Sequence, residues 1–282
     1  MPNMAQSGVS GLDLYVRTDH CWEWMESAGA TAREGNTRTL FSGVERKPRE
    51  FLLYLPLYNR IESLRLGVPP NSTVETRVRT SRPLVFYGTS IVQGGCVSRP
   101  GTAYPALLGR WLDRPIVNLG FSGNGNAEPE VAALVAEIDA AVHILDPLPN
   151  LTPDEVARVG PFIAILRAKH PRTPVVVVEC LPYPDGAFIS LRRAAYKVSN
   201  LNLGAPFDRL HRSERNLDLI PSTDLIGVDG VHPTYLGVFR IAGHMEGYLR
   251  AVLGDTKAGV ESGQPPAPDG DRDSGRAIRG WN

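Results

Sequence analysis

From residue 83 onward, short apolar runs alternate with helix-length amphipathic patterns, and this alternation constrains the fold more than any other feature of the sequence. Runs at 84–87, 116–118, 142–145 and 174–179 read as strands, with 217–220 as a fifth candidate. Helical patterns occupy 102–112, 128–138, 153–169, 189–202 and 234–252. The start at Thr152-Pro153-Asp154-Glu155 is legible, with a hydroxyl, then proline, then acids in the first turn. Strand–helix–strand repetition implies βαβ units, hence a parallel sheet with helices on both faces. Ligands of such open sheets bind at the carboxyl ends of the strands, so the loops that follow strands are where chemistry is sought.

The first 80 residues have a different texture. Stretches 12–16 and 51–55 read as strands, and 63–68 alternates polar and apolar residues as a half-buried strand should. Trp22 and Trp24 suit a packed core better than a binding wall, although both uses are open to paired tryptophans. The expected organisation is a small β-sandwich-like module over 1–80, an α/β domain over 81–254, and a disordered tail over 255–282. That last stretch is rich in Gly, Pro, Asp and Ser and has too little apolar surface to offset chain entropy.

Charge and composition narrow the function classes. Thirty basic and thirty acidic residues balance, which argues against nucleic-acid binding and against an electrostatic membrane anchor. No apolar run approaches the ~20 residues of a membrane span. The first ten residues lack the basic and apolar regions of a signal peptide, so a cytoplasmic location is expected. Cys21, Cys96 and Cys180 are odd in number and far apart, which suits reduced thiols rather than disulfides or a zinc site. The composition leaves a homo-oligomer open.

Four stretches at strand ends carry chemical groups. In Val85-Phe86-Tyr87-Gly88-Thr89-Ser90 a strand ends in a turn that exposes a hydroxyl. Asn118-Leu119-Gly120-Phe121-Ser122-Gly123-Asn124-Gly125 follows the next strand, and its glycine spacing is not that of a dinucleotide loop. In Asp146-Pro147-Leu148-Pro149-Asn150 a stiffened turn bears a carboxamide suited to oxyanion donation. Asp229-Gly230-Val231-His232-Pro233 places a carboxylate three residues from an imidazole, a group whose ordinary pKa suits proton shuttling. His20, His143, His170, His211 and His244 supply no obvious further ligand set, so neither a metal nor a cofactor is expected.

Together these stretches resemble the SGNH hydrolases, or GDSL-type esterases. Gly88-Thr89-Ser90 matches the first block of that family, Ser122-Gly123 the second, Asn150 the third and Asp229-x-x-His232 the fifth. Gly11-Leu12-Asp13-Leu14-Tyr15 resembles the Gly-x-Asp-Leu-Tyr module of one branch. Two departures stand out: Thr89 where many members have aspartate, and Leu148-Pro149-Asn150 in place of Gly-x-Asn-Asp. The Gly-x-Ser-x-Gly elbow of the α/β-hydrolases is absent around Ser90. The resemblance implies a flavodoxin-like three-layer fold and acyl transfer. In that scheme Ser90 is the nucleophile, His232 the general base and Asp229 its orienter. The Ser90 and Gly123 amides and the Asn150 side chain form the oxyanion hole. The expected substrate is a small-molecule ester, a short acyl group on a carbohydrate or similar alcohol, with Trp22 and Trp24 as a wall facing it. Arg99 is a candidate for an anionic substrate group and equally for a structural salt bridge. The alternative is a non-catalytic carbohydrate-binding or scaffolding protein on the same fold.

Overall fold

The computed structural model describes residues 3–30, 35–223 and 227–255. The expected disordered tail therefore lies outside the described residues, save for Asp255. Among them, no helix is long and apolar enough to cross a membrane.

A short helix, α1 (Gln6–Ser10), leads into a three-stranded antiparallel sheet of β1 (Leu12–Arg17), β2 (Trp22–Ala28) and β3 (Phe51–Tyr54), with β1 central. The β-rich unit is this single small sheet. The alternating stretch at 63–68 forms no strand and is exposed along its whole length, so its apolar residues face no partner layer. Conversely, β2 is not legible in the sequence: it is an edge strand with only Trp22 buried, and the alternation of Trp22-Glu23-Trp24 stops at Met25.

The main sheet is parallel and five-stranded: β4 (Leu84–Gly88), β5 (Ile116–Gly120), β6 (Val142–Asp146), β7 (Val175–Val178) and β8 (Leu217–Ile220), in the order β5-β4-β6-β7-β8. The fifth candidate strand is thus present at the edge. Successive side chains of a strand point to opposite faces. Leu84, Phe86, Ile144 and Val176 accordingly pack on one side with Leu108 of α3 (Tyr104–Trp111) and Ile241 and Met245 of α7 (Tyr235–Leu253). Val85, Tyr87, Leu145 and Val177 pack on the other. Their partners there are Ala132 of α4 (Pro129–Val135), Phe162 of α5 (Val159–Lys169) and Leu203 of α6 (Ser190–Ser213). This is the three-layer flavodoxin-like arrangement. Helix α6 runs through Pro206, past the expected end at 202, because Leu203 and Phe207 bury its inner face on both sides of the proline. The expected start of the 153–169 helix is a 3-10 turn (Glu155–Arg158), where the Glu155 carboxylate accepts the Thr152 N–H and hydroxyl, both at 2.9 Å.

The small sheet is joined to the α/β domain through Asp13, which meets the segment that leads into α3. Its carboxylate is fully buried and accepts the Trp24 indole N–H at 2.9 Å, the Arg99 guanidinium at 3.0 Å and the Gly101 amide at 2.9 Å. Beside it the Arg110 guanidinium of α3 lies 3.9 Å from the Tyr15 ring centroid. Gly101 has no room for a side chain, since a Cβ there would lie 2.4 Å from the Tyr15 ring. The Gly-x-Asp-Leu-Tyr stretch is therefore the seam between the sheets. Asp13→Ala would leave three donors without their acceptor, one of them a partly exposed cation. Urea unfolding is expected to show a loss of about 2–3 kcal/mol.

Candidate active site

In the strand order β5-β4-β6, the chain leaves the central strand β4 first to one side and later to the other. A crevice opens where the order reverses, at the carboxyl ends of the strands. Ser90 follows β4 and Asn150 follows β6, so topology alone brings them to one edge. Ser90 is the first residue of a short helix, α2 (Ser90–Gln93). Thr89, the residue that departs from the usual aspartate, caps this helix by accepting the Ile91 N–H at 3.3 Å. As the first helical residue, Ser90 has an N–H with no partner inside the helix.

Asp229 and His232 approach Ser90 from the loop before α7. One carboxylate oxygen of Asp229 accepts the backbone N–H groups of Val231 and His232, at 3.1 and 2.8 Å, which closes a tight turn. The Val228 N–H to His232 carbonyl bond, 2.8 Å, pins the turn from outside, and Gly230 takes a φ of 81°. The second Asp229 oxygen lies 2.9 Å from His232 Nδ1, and His232 Nε2 lies 2.7 Å from Ser90 Oγ. A carboxylate only accepts, so Nδ1 carries the proton and Nε2 is free to accept from the hydroxyl. Ser90 and His232 are both nearly buried, at 7% and 9% exposure. Burial works against the Asp229 charge. The hydrogen bonds from His232 and Val231 outweigh it and bring this carboxyl down to about 2.

The remaining expected site residues divide into two groups. Gly123 lies in the loop after β5 with a φ of 72°, and its amide has no hydrogen-bond partner among the described residues. The Asn150 side chain donates one N–H to the Asn124 carbonyl at 2.6 Å, which ties the third block to the second and leaves that nitrogen a second N–H. Arg99, Trp22 and Trp24 are placed in the seam between the sheets. Arg99 pairs with Asp13 and lies 4.7 Å from the Trp24 ring centroid, and Trp22 sits under Arg17 and Arg79. None of the three makes a hydrogen bond or ring contact with Ser90 or His232.

Two neighbours of the site gave little signal in the sequence. Cys96, with a φ of 67°, brings its sulfur within 4.8 Å of ligand atoms on Asp229 and His232. Burial first, then the Asp229 charge, raises its thiol pKa, which keeps it protonated and a poor nucleophile. Asp146, at the end of β6, is buried and accepts the Tyr104 hydroxyl at 2.9 Å. Burial pushes its carboxyl up to about 7. In the sequence it belongs to a proline-stiffened turn, since nothing local marks an aspartate that is enclosed by a helix about forty residues away.

The GDSL-like lipase/acylhydrolase family model matches residues 81–250, and a second model, the N-terminus of SGNH-hydrolase-type esterases, matches residues 1–74. The chain belongs to the GDSL-like lipase/acylhydrolase family. A GDSL-like lipase from Bacteroides ovatus is 35% identical, with a TM-score of 0.85 over 90% of this chain and 78% of that one. Two more distant structures share the fold. One is a carbohydrate esterase family 2 enzyme from Corynascus, 15% identical, with a TM-score of 0.64 over 88% of each chain. The other is a salicylyl-acyltransferase from a tetracycline biosynthetic pathway, 16% identical, with a TM-score of 0.61 over 86% of this chain and 73% of that one. No curated protein matches by sequence.

Two outcomes follow for this acylhydrolase. A carboxyl with a lowered folded-state pKa contributes stability that is present above its ordinary value of about 3.9 and lost as the pH falls through its folded value. Asp229→Asn should therefore be less stable than the native chain above pH 4 and converge with it toward pH 2, where the native carboxyl is held. Urea midpoints across that range check this. A Cβ on Gly95 would lie 2.8 Å from His232 Cδ2 and 3.1 Å from the Ser90 carbonyl oxygen. Gly95→Ala should push the imidazole off line and lower kcat/KM for an ester by roughly 10²-fold, with the fold retained by circular dichroism.

Proposed function

We propose that this chain is a serine esterase that removes a short acyl group, acetyl first, from a carbohydrate or similar small alcohol. The observation that carries the reading is the continuous hydrogen-bonded line from Ser90 Oγ through His232 to Asp229, at 2.7 and 2.9 Å. Ser90 Oγ attacks the ester carbonyl as His232 Nε2 takes its proton. Asp229 holds the ring and stabilises the imidazolium. The oxyanion is received by the Ser90 and Gly123 amides and by the second N–H of Asn150. Collapse of the tetrahedral intermediate expels the alcohol, which takes the proton from His232, and leaves Ser90 acylated. Water, deprotonated by the same imidazole, then releases the acid.

The near-burial of Ser90 and His232 favours a small acyl group at the nucleophile. The sugar-ester reading draws on the shared fold of the carbohydrate esterases. Trp22 and Trp24 do not enter it, since arginines cover their rings. A panel of acetyl, butyryl and octanoyl esters, run beside an acetylated sugar, tests the proposal. Acetyl should be the fastest acyl group, with Ser90→Ala nearly inactive and Asn150→Ala retaining measurable turnover at ~10²–10³-fold lower kcat. Preference for octanoyl would contradict the short-acyl assignment. An unaffected kcat in Asn150→Ala would contradict the role of that amide.

A further inference from the structure

Between the N-terminal segment and the loop that carries Gly123 stands a single carboxamide, and both of its ends are used. Gln93 Nε2 donates to the Leu57 carbonyl at 2.9 Å, and Gln93 Oε1 accepts the Ser122 N–H at 2.8 Å. Leu57 and its two successors are themselves fastened to the start of the chain. The Leu57 N–H donates to the Gly8 carbonyl at 3.3 Å, and the N–H groups of Tyr58 and Asn59 donate to the Val9 carbonyl at 3.2 and 3.1 Å. At the other end the loop after β5 passes tightly over the same residue, since a Cβ on Gly120 would lie 2.0 Å from the Gln93 amide nitrogen. Gln93 closes the helix that Ser90 opens, so nucleophile and clasp share one rigid turn.

We propose that Gln93 is a positioning residue of the oxyanion site. Its carboxamide lets the N-terminal segment hold Ser122, and through Ser122 the adjoining Gly123 amide, in register with the Ser90 hydroxyl. The proposal rests on the reading of Gly123 as an oxyanion donor. It gives the residues before the main sheet a part in catalysis that their distance in sequence conceals. A side-chain amide is needed because the two neighbours present opposite groups, a carbonyl on one side and an N–H on the other. Neither a carboxylate nor an aliphatic chain of the same length satisfies both.

The test compares the full-length protein with Gln93→Leu, which breaks both bonds, and Gln93→Glu, which keeps an acceptor for Ser122 but offers no donor to Leu57. Hydrogen exchange at the Ser122 amide should speed up by about tenfold or more in the leucine variant and less in the glutamate variant. With active sites titrated by a phosphonate, kcat for acetyl ester hydrolysis should fall about tenfold in Gln93→Leu and less in Gln93→Glu, with KM within about twofold. This is smaller than the ~10²–10³-fold of deleting a donor, because the Gly123 amide is displaced rather than removed. A general loss of folding would lower the titrated sites rather than kcat per site. Should the leucine variant fail to fold, the glutamate variant decides by the same two readouts. Unchanged Ser122 exchange together with unchanged kcat would overturn the proposal. If the native chain hydrolysed no ester, the functional reading would fail, while the exchange comparison would still decide whether the clasp exists.

Discussion

The organisation of this molecule depends on an imidazole held at both nitrogens. His232 lies between the Asp229 carboxylate, three residues away on its own turn, and the Ser90 hydroxyl, 142 positions away in sequence. Neither contact is a local accident. The hydroxyl is fixed by the strand–turn–helix unit of β4 and α2, and the imidazole by a turn wound around one oxygen of Asp229. Because one Asp229 oxygen is satisfied by the backbone of its own turn, the other is committed to Nδ1. The tautomer that leaves Nε2 free for Ser90 is thereby built into the loop before any substrate arrives.

Around this line the polar groups are arranged by backbone rather than by long side chains. Among the described residues the Gly123 amide has no hydrogen-bond partner, and Asn150 is steadied through the Asn124 carbonyl. The N-terminal residues are fastened to the α/β domain at two places with different chemistry. Asp13 supplies a buried anion to three donors, and Gln93 supplies a neutral carboxamide to a carbonyl and an N–H. The first holds β1 against the segment that leads into α3, and the second reaches the loop that carries Gly123.

The α/β domain and its four chemical stretches were legible because each signal was local: an apolar run, a breaker, then one reactive side chain. Edge elements were harder. Strand β2 is an edge strand buried only at Trp22, and the alternation at 63–68 had no face to pack on, so pattern misled in both directions. Arg99 and the two tryptophans illustrate a different gap. Cationic and aromatic side chains suit a ligand wall and a salt-bridged seam equally well, and only the position of Asp13, some 86 residues from Arg99, separates the two. Gln93 carried no signal at all, since an isolated glutamine on a short helix has nothing in its neighbourhood to mark it. Asp146 was hidden for a related reason: its enclosure is created by Tyr104 from another layer.

The proposed esterase activity turns on a single chemical event, acylation at the hydroxyl of residue 90 driven by the imidazole of residue 232. Peptide mapping by mass spectrometry after treatment with a fluorophosphonate reads that event directly. Stoichiometric modification of Ser90 in the native chain, abolished in His232→Ala, is the predicted result. Ester hydrolysis that proceeds with Ser90 unmodified, or with the adduct on Cys96, would contradict it.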